Sequence, residues 1–290
     1  MPFIDLLLQY SELIAQTVLV LGLVFFAWAE RRKPRVGALT DKWPRWQTNI
    51  ALYVLGAVAM ALAFEPISGY AIGIGGALGW GGLAATQWPT WVKIVIGLLV
   101  IDLLQYLLHV VSHYVPWWWR LHKIHHSDTT VDASTAIRHH PLETLLGAFV
   151  VVVVLAAGGV PIYAILLYAA LQQVHALFCH ANLALPPTVD QWLRWFVVTP
   201  DMHAVHHSVR MDEGNSNFGM VFPWWDHIFR SYCGQPQAGR LLMRMGIEEL
   251  STTRSLHMLD LLGLPFWRSR QGLAAAPLRT VPPRRPKRRR

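Results

Sequence analysis

His122-Lys123-Ile124-His125-His126 decides how this chain is to be read, and the pattern returns as His203-Ala204-Val205-His206-His207. Both stretches read H-x-x-H-H. On a helix, positions i, i+3 and i+4 share a face, so each stretch projects three imidazoles from one stripe. Imidazole is the commonest metal-binding side chain, and its neutral form suits zinc, copper, iron and nickel. Six imidazoles in one core are hard to explain as packing. Two further groups extend the set. His109-Val110-Val111-Ser112-His113 is an H-x-x-x-H pair, whose i, i+4 spacing can chelate one ion. His175 and His180 end an apolar helix five residues apart.

These patterns make His109, His113, His122, His125, His126, His180, His203, His206 and His207 the candidate catalytic and metal-ligating residues. His175 joins them as a candidate metal ligand, although i and i+5 diverge on an ideal helix. At four or five ligands per metal, the natural count is two metals. His139 and His140 precede Pro141 at the start of a helix and are read as supporting groups or ligands. His227 and His257 read as ordinary surface histidines. Asp128, Asp132, Glu143, Asp201 and Asp226 are candidates to orient the imidazoles. Asp102 lies two turns before His109 inside an apolar helix, where a carboxylate is costly. It is either functional or a helix–helix hydrogen bond.

The surroundings of these motifs are those of a membrane protein. Mean hydropathy is +0.33. Only 14% of residues are charged, against about 25% in soluble domains. Five apolar runs are long enough to span or nearly span a bilayer. They are Leu13 to Ala29, Asn49 to Phe64, Trp91 to Ser112, Leu142 to Ala157 and Pro161 to Cys179, the last two turning at Gly158-Gly159. Between the second and third lies a Gly-rich stretch, Glu65 to Pro89, read as an outer loop or re-entrant element. The first run lacks a basic leader or small-residue cleavage site, so it is expected to be a retained anchor.

Glu30 to Arg35, Lys42 and Arg45 follow the first run, and by the positive-inside rule this connection is cytoplasmic. The N-terminus is then expected outside. Of the 25 Lys and Arg, this path leaves Lys93 alone on the outer side. It also places all fourteen histidines at or beyond the inner membrane ends, although the charge argument never used them. The expected fold is therefore all-α and integral to the membrane, with four to five membrane helices and a cytosolic histidine-rich helical cap. Its expected divisions are 1–90 (anchor helices and outer loop), 91–235 (catalytic domain) and 236–290 (cytosolic extension). The amphipathic stretch Gln191 to Val198 is expected to lie on the membrane surface. Arg284, Arg285, Lys287, Arg288, Arg289 and Arg290 end the chain in a basic tail, read as a solvated, disordered terminus or a contact for anionic lipid headgroups. Cys179 and Cys233 provide neither a disulfide framework nor a thiolate metal knuckle. No nucleic-acid motif is present.

On these motifs the chain resembles the fatty acid hydroxylase / sterol desaturase superfamily of integral membrane di-iron oxygenases. The resemblance rests on His109 and His113 followed by the two H-x-x-H-H patterns. It extends through Arg138-His139-His140-Pro141-Leu142-Glu143, His180-Ala181-Asn182, Thr199-Pro200-Asp201-Met202-His203, Asn217-Phe218-Gly219 and Trp225-Asp226-His227-Ile228-Phe229, covering about residues 95 to 232. It implies two irons per chain, molecular oxygen as co-substrate, a separate electron-transfer protein and a membrane lipid substrate. The expected chemistry is hydroxylation or desaturation of an apolar C–H bond. Zinc remains possible as a substitute metal, because imidazole does not exclude it. Trp117-Trp118-Trp119, just before the first H-x-x-H-H, reads as an interfacial belt or a substrate contact. The alternative function is a histidine-rich membrane metal-binding or transport protein. That alternative predicts ligands spread through the depth of the bilayer.

Overall fold

The architecture follows from where proline and glycine interrupt long apolar helices. A computed structural model describes residues 9–37, 42–64, 69, 81–239, 242–250 and 257–267. Most of the Gly-rich stretch and the whole basic tail lie outside these residues. Among the described residues, five helices are long and apolar enough to cross a membrane. They are α1 (Ser11–Arg32), α2 (Lys42–Ala59, continued by a π-turn, Met60–Phe64), α3 (Thr90–Tyr114), α5 (Pro141–Gly158) and α6 (Ile162–His180). Each contains one of the expected apolar runs almost whole. Their outer faces are apolar and uncovered: Val20, Leu21, Val24, Phe25 and Trp28 of α1 are all exposed. A soluble bundle would bury such a face, whereas a bilayer covers it. The chain is a multi-pass, all-helical membrane protein.

Helix α6 is central, packing on α1, α3 and the 3-10 turn Ala133–Ile137. Leu177 of α6 meets Leu19 and Phe26 of α1, while Ala164 and Tyr168 meet Ile101 of α3. Short helices form the cap: α4 (Pro116–His126), α7 (Pro187–Leu193), α8 (Pro200–His206), α9 (Met211–Gly214), α10 (Trp224–Ile228) and α11 (Met258–Gly263). Prolines set several of their starts. Pro116 opens α4 and forces Val115 into an extended conformation (φ −90°, ψ 114°), because the residue before proline avoids the helical region. The chain therefore breaks between His113 and His122, and the two helices can face their histidines toward each other. The C-terminal part is not a separate body. Leu261 and Leu264 are buried against Leu52 of α2 and Ile124 of α4.

A polar layer ties the histidine-bearing ends together. Arg45 on α2 pairs with Asp128 at 2.8 Å and with Asp132. Glu30 on α1 accepts from Lys42 and from the backbone N–H groups of Ala133 and Asn182. Arg35 pairs with Asp201 at 2.8 Å, both buried. Arg138 donates to the Ile124 carbonyl, to Asn49 and to Ser127. The basic residues counted for topology are thus also structural ties between α1, α2 and the cap. Breaking one buried pair of this kind typically costs about 3–5 kcal/mol.

At the opposite end, the α5–α6 hairpin turns at Gly159 with a left-handed φ of 60°. Leu83 and Ala84 donate to the carbonyls of Gly158 and Gly159 at 3.0 and 2.8 Å, and a Cβ on Gly159 would lie 2.2 Å from the Gly81 carbonyl oxygen. Gly159→Ala should therefore destabilise the protein by about 1–3 kcal/mol, read as a lower thermal midpoint in detergent. Gly147→Ala, with nothing within 4 Å, should leave the midpoint at or above the parent's.

Candidate metal centre

The nine histidines come together at one end of the bundle in two adjoining groups. His109, His113, His122, His126 and His206 form group A. His125, His180, His203 and His207 form group B. Within each group the ligand atoms lie within 4.8 Å of one another. The groups touch: the His126 and His207 rings stack with centroids 4.6 Å apart.

Each H-x-x-H-H pattern is divided between the groups. The first sends i and i+4 (His122, His126) to group A and i+3 (His125) to group B. The second does the reverse, with His203 and His207 in group B and His206 in group A. Helix geometry explains the division. Relative to i, position i+4 lies about 40° to one side and i+3 about 60° to the other. One stripe therefore feeds two neighbouring points when a second helix faces it.

In group A the protons are placed by oxygen acceptors. His109 Nδ1 donates to the Phe218 carbonyl at 2.9 Å, and His206 Nδ1 to the Ser216 carbonyl at 2.8 Å. His113 Nδ1 meets Asn215 Oδ1 at 3.1 Å, and His122 Nδ1 meets Glu143 Oε1 at 2.6 Å. An oxygen that only accepts fixes the proton on Nδ1 and leaves a lone pair on Nε2. The Nε2 atoms of His109, His113, His122, His126 and His206 are all buried without a hydrogen-bond partner. Buried polar atoms are normally paired, so five orphaned nitrogens, four of them with the lone pair fixed on Nε2, fit a cation.

Group B makes the same case through its contacts. His180 Nδ1 donates to the Ala176 carbonyl at 2.7 Å, so its Nε2 is a lone pair. Both His125 Nε2 (3.1 Å) and His203 Nε2 (2.8 Å) approach it, and His207 Nε2 lies 3.2 Å from His203 Nε2. One lone pair cannot satisfy two donors, whereas a metal at the centre accepts all four nitrogens. The all-nitrogen donor set suits zinc, copper, iron or nickel.

Burial and the neighbouring imidazoles push His125, His126, His203, His206 and His207 well below the ordinary histidine range. All five are therefore neutral and ligand-competent at pH 7.

The remaining candidates are placed differently. His175 is in neither group. At i−5 from His180 it points about 140° around α6, and its Nε2 donates to the Val198 carbonyl at 2.9 Å. His139 stacks on His125 at 4.7 Å and bonds Glu143 Oε2 at 3.3 Å, so Glu143 links His139 to His122. His140 caps α5 by accepting the Leu142 N–H. His227 stacks on Tyr232, and His257 caps α11. Of the acidic candidates, Glu143 is hydrogen-bonded to His122 and His139. Asp128, Asp132 and Asp201 serve the arginine ties, and Asp226 holds the backbone N–H groups of Phe218 and Gly219 at 2.8 Å. Asp102 proves to be a packing carboxylate, accepting from Tyr168, Trp225 and the backbone of Val221 and Phe222. Of the tryptophans, Trp117 is exposed, and Trp119 packs its ring on His113 at 5.1 Å and His126 at 5.5 Å.

Motif reading misses the loop at 215–219, which supplies three of the oxygens that orient group A. Its one legible signal is Asn217-Phe218-Gly219. Asn217 is left-handed (φ 53°) and ties Met202 to Cys233. A Cβ on Gly219 would lie 2.7 Å from the Phe222 carbonyl oxygen.

Residues 94–231, which hold all nine grouped histidines, match the fatty acid hydroxylase family model. The chain is similar to ornithine lipid hydroxylase OlsE of Rhizobium tropici, 28% identical over 151 residues, covering 52% of this chain and 45% of that protein. It is similar to alkylglycerol monooxygenase of Caenorhabditis elegans, 28% identical over 133 residues, 45% of this chain and 25% of that protein. A third relative is methylsterol monooxygenase 1 of Danio rerio, 27% identical over 147 residues, 49% of this chain and 48% of that protein. The matched stretch spans less than half the length of each relative. No solved structure matches the chain significantly.

Two outcomes are expected. Glu143→Gln removes the charge that holds His122 and should weaken metal retention roughly 10–100-fold, measured by chelator competition, with group B the better retained. For the pH dependence, the five cap histidines stay neutral in the folded chain, while the unfolded chain takes up protons below about pH 6.5. The unfolded state then binds more protons, so stability falls as pH drops. The thermal midpoint of metal-stripped protein should be flat from pH 8 to about 7 and fall from about 6.5 downward.

Proposed function

We propose that this protein is an O₂-dependent hydroxylase of a membrane lipid, a reading supported by the match of residues 94–231 to the fatty acid hydroxylase family model. Two irons per chain would be held by His109, His113, His122, His126 and His206 on one side and His125, His180, His203 and His207 on the other. The observation that carries the proposal is the pair of adjoining nitrogen groups with lone pairs directed inward. Bound there, the irons would activate O₂ for attack on an unactivated C–H bond. The balance is one C–H bond, O₂, two electrons and two protons giving C–OH and water. The electrons come from a separate electron-transfer protein.

The chain's own residues have definite tasks in this reading. Ser216, Phe218, Asn215 and Glu143 keep the group A imidazoles in the tautomer that presents Nε2. Trp119 and Phe218 close the centre with apolar surface, which limits access of bulk water. Hydroxylation is favoured over desaturation because the three relatives named above are a hydroxylase and two monooxygenases. Their names cite an ornithine lipid, an alkylglycerol and a methylsterol, and the class shared is a lipid with a long apolar portion. Iron is favoured over zinc by the redox character of that chemistry.

The distribution of Lys and Arg supports a cytoplasmic cap and C-terminus, with the N-terminus outside. In that orientation the basic tail at 284–290 would meet anionic headgroups. Residues 91–235 are the proposed catalytic domain, preceded by the anchor helices and followed by a cytosolic extension. A transport relay finds no support, since the nine rings gather at one end of the helices and no ladder of ligands crosses the bilayer among the described residues.

Metal analysis of purified protein and lipid profiling of expressing cells test the function together. About two irons per chain and a lipid heavier by one oxygen atom are expected. His206→Ala should abolish that product, with at least one metal equivalent lost. One zinc per chain and an unchanged lipid profile would sink the proposal.

A further inference from the structure

Asp102 precedes His109 by seven residues on α3, which places it about 10 Å farther along that helix, away from the cap end. Because α3 is one of the membrane-crossing helices, Asp102 lies within its apolar length. Three of its four partners nevertheless come from the cap. The backbone N–H groups of Val221 and Phe222 donate to it at 3.1 and 3.3 Å, and the Trp225 indole N–H at 2.7 Å. The fourth is the Tyr168 hydroxyl of α6 at 2.6 Å. A second tie sits between these two levels. The Tyr106 hydroxyl bonds Ser231 Oγ at 2.8 Å, and its ring stacks on Phe229 at 5.4 Å. Segment 218–231 therefore lies along the flank of α3, descending from the level of His109 at Phe218 to Asp102 at 221–225 and returning to Tyr106 at 229–231.

The outer edge of that segment is apolar and uncovered. Trp224, Ile228 and Phe229 are exposed, Ile228 by 62%. The Trp224 indole donates to the Trp195 carbonyl at 2.7 Å, which sets Trp192, Trp195 and Phe196 alongside. These three are also exposed, Trp195 by 71%.

We propose that Trp192, Trp195, Phe196, Trp224, Ile228 and Phe229 form an apron immersed in one leaflet of the same bilayer that α3 crosses. Its occupant is the upper acyl-chain and glycerol region of the lipid. The cap is sunk into the membrane and does not stand above it. Three physical points carry this. The apron's ties reach about 10 Å below His109, the depth to which interfacial elements bury an apolar face. Its composition, dominated by Trp and Phe, is that of membrane–water interfaces. Irregular backbone at such depth survives only where its polar groups are satisfied within the protein, and Asp102 does this for the Val221 and Phe222 amides. The exposed Arg230 beside Phe229 has the reach to place its guanidinium at the phosphates. If the centre is a lipid hydroxylase, substrate reaches it from within the leaflet. The apron itself depends only on α3 spanning the bilayer.

Depth-resolved quenching tests it on the full-length chain. Single cysteines at Ile228→Cys, Trp195→Cys, Val100→Cys and Asp212→Cys are made in a Cys179→Ala, Cys233→Ala background. Each is labelled with an environment-sensitive fluorophore and reconstituted into phosphatidylethanolamine–phosphatidylglycerol vesicles. The quenchers are a mid-chain nitroxide lipid and aqueous iodide. Labels at 228 and 195 should lose fluorescence to the nitroxide lipid as the membrane-helix label at 100 does, and be spared by iodide. The label at 212, on an exposed polar turn, should show the opposite. Iodide quenching at both 228 and 195 would overturn the apron. So would protection from both quenchers, which means that a second copy or another protein covers the patch. Failure of the label at 100 to meet the lipid quencher would instead remove the membrane placement of α3. The two positions back each other if one substitution prevents folding.

Discussion

The structure depends on one electrostatic constraint: buried imidazole lone pairs that face one another. In group A, four Nδ1 atoms are engaged by oxygens from Phe218, Ser216, Asn215 and Glu143. Every one of those contacts turns an Nε2 lone pair inward. Without a shared cation, the arrangement leaves five buried nitrogens unpartnered, four of them acceptors, which low local dielectric makes costly. The rest of the cap is arranged so that this cluster cannot relax. Pro116 breaks α3 from α4, Asp226 pins the backbone of Phe218 and Gly219, and the Gly246 N–H closes on the His207 carbonyl at 3.1 Å.

The two groups are unequal in how firmly they are held. Group A has five rings, four of them anchored by oxygen. Group B has four, of which His180 alone shows such an anchor, while Nδ1 of His125, His203 and His207 has no hydrogen-bond partner among the described residues. Oriented ligands bind metal more tightly because less freedom is lost on binding. The reversal of roles between the H-x-x-H-H patterns makes the groups inseparable. The two H-x-x-H-H stretches each serve both groups, so a displacement of α4 or α8 is felt by both.

Charge plays two parts at this end of the bundle. Arg35, Lys42 and Arg45 are among the basic residues on which the proposed orientation rests. They also neutralise Asp201, Glu30, Asp128 and Asp132, which fastens α1 and α2 to the cap. Asp102 plays the corresponding part farther down α3, where its carboxylate gathers donors from the cap segment 221–225 and from one membrane helix. Position in an apolar helix leaves an acid open to either a functional or a packing role. Asp102 has the second, and through it the cap descends beside α3.

Much of this is legible in the order of the residues alone. Apolar runs of spanning length define the membrane helices, because backbone groups in lipid must be satisfied within the segment. The i, i+3, i+4 spacing puts eight of the nine grouped histidines on shared helix faces, because helix periodicity is local. Pro116, Pro141, Pro200 and Gly159 mark breaks for equally local reasons. What periodicity cannot supply is which histidine joins which group, since that depends on how α4 and α8 face each other across the core. Nor can it exclude His175, whose angle on α6 matters only once the position of the centre is known. The Ser216 and Phe218 carbonyls are backbone groups and carry no side-chain signature. They orient the imidazoles because the chain returns there about a hundred residues after α3, and such long-range encounters exist only in the assembled fold.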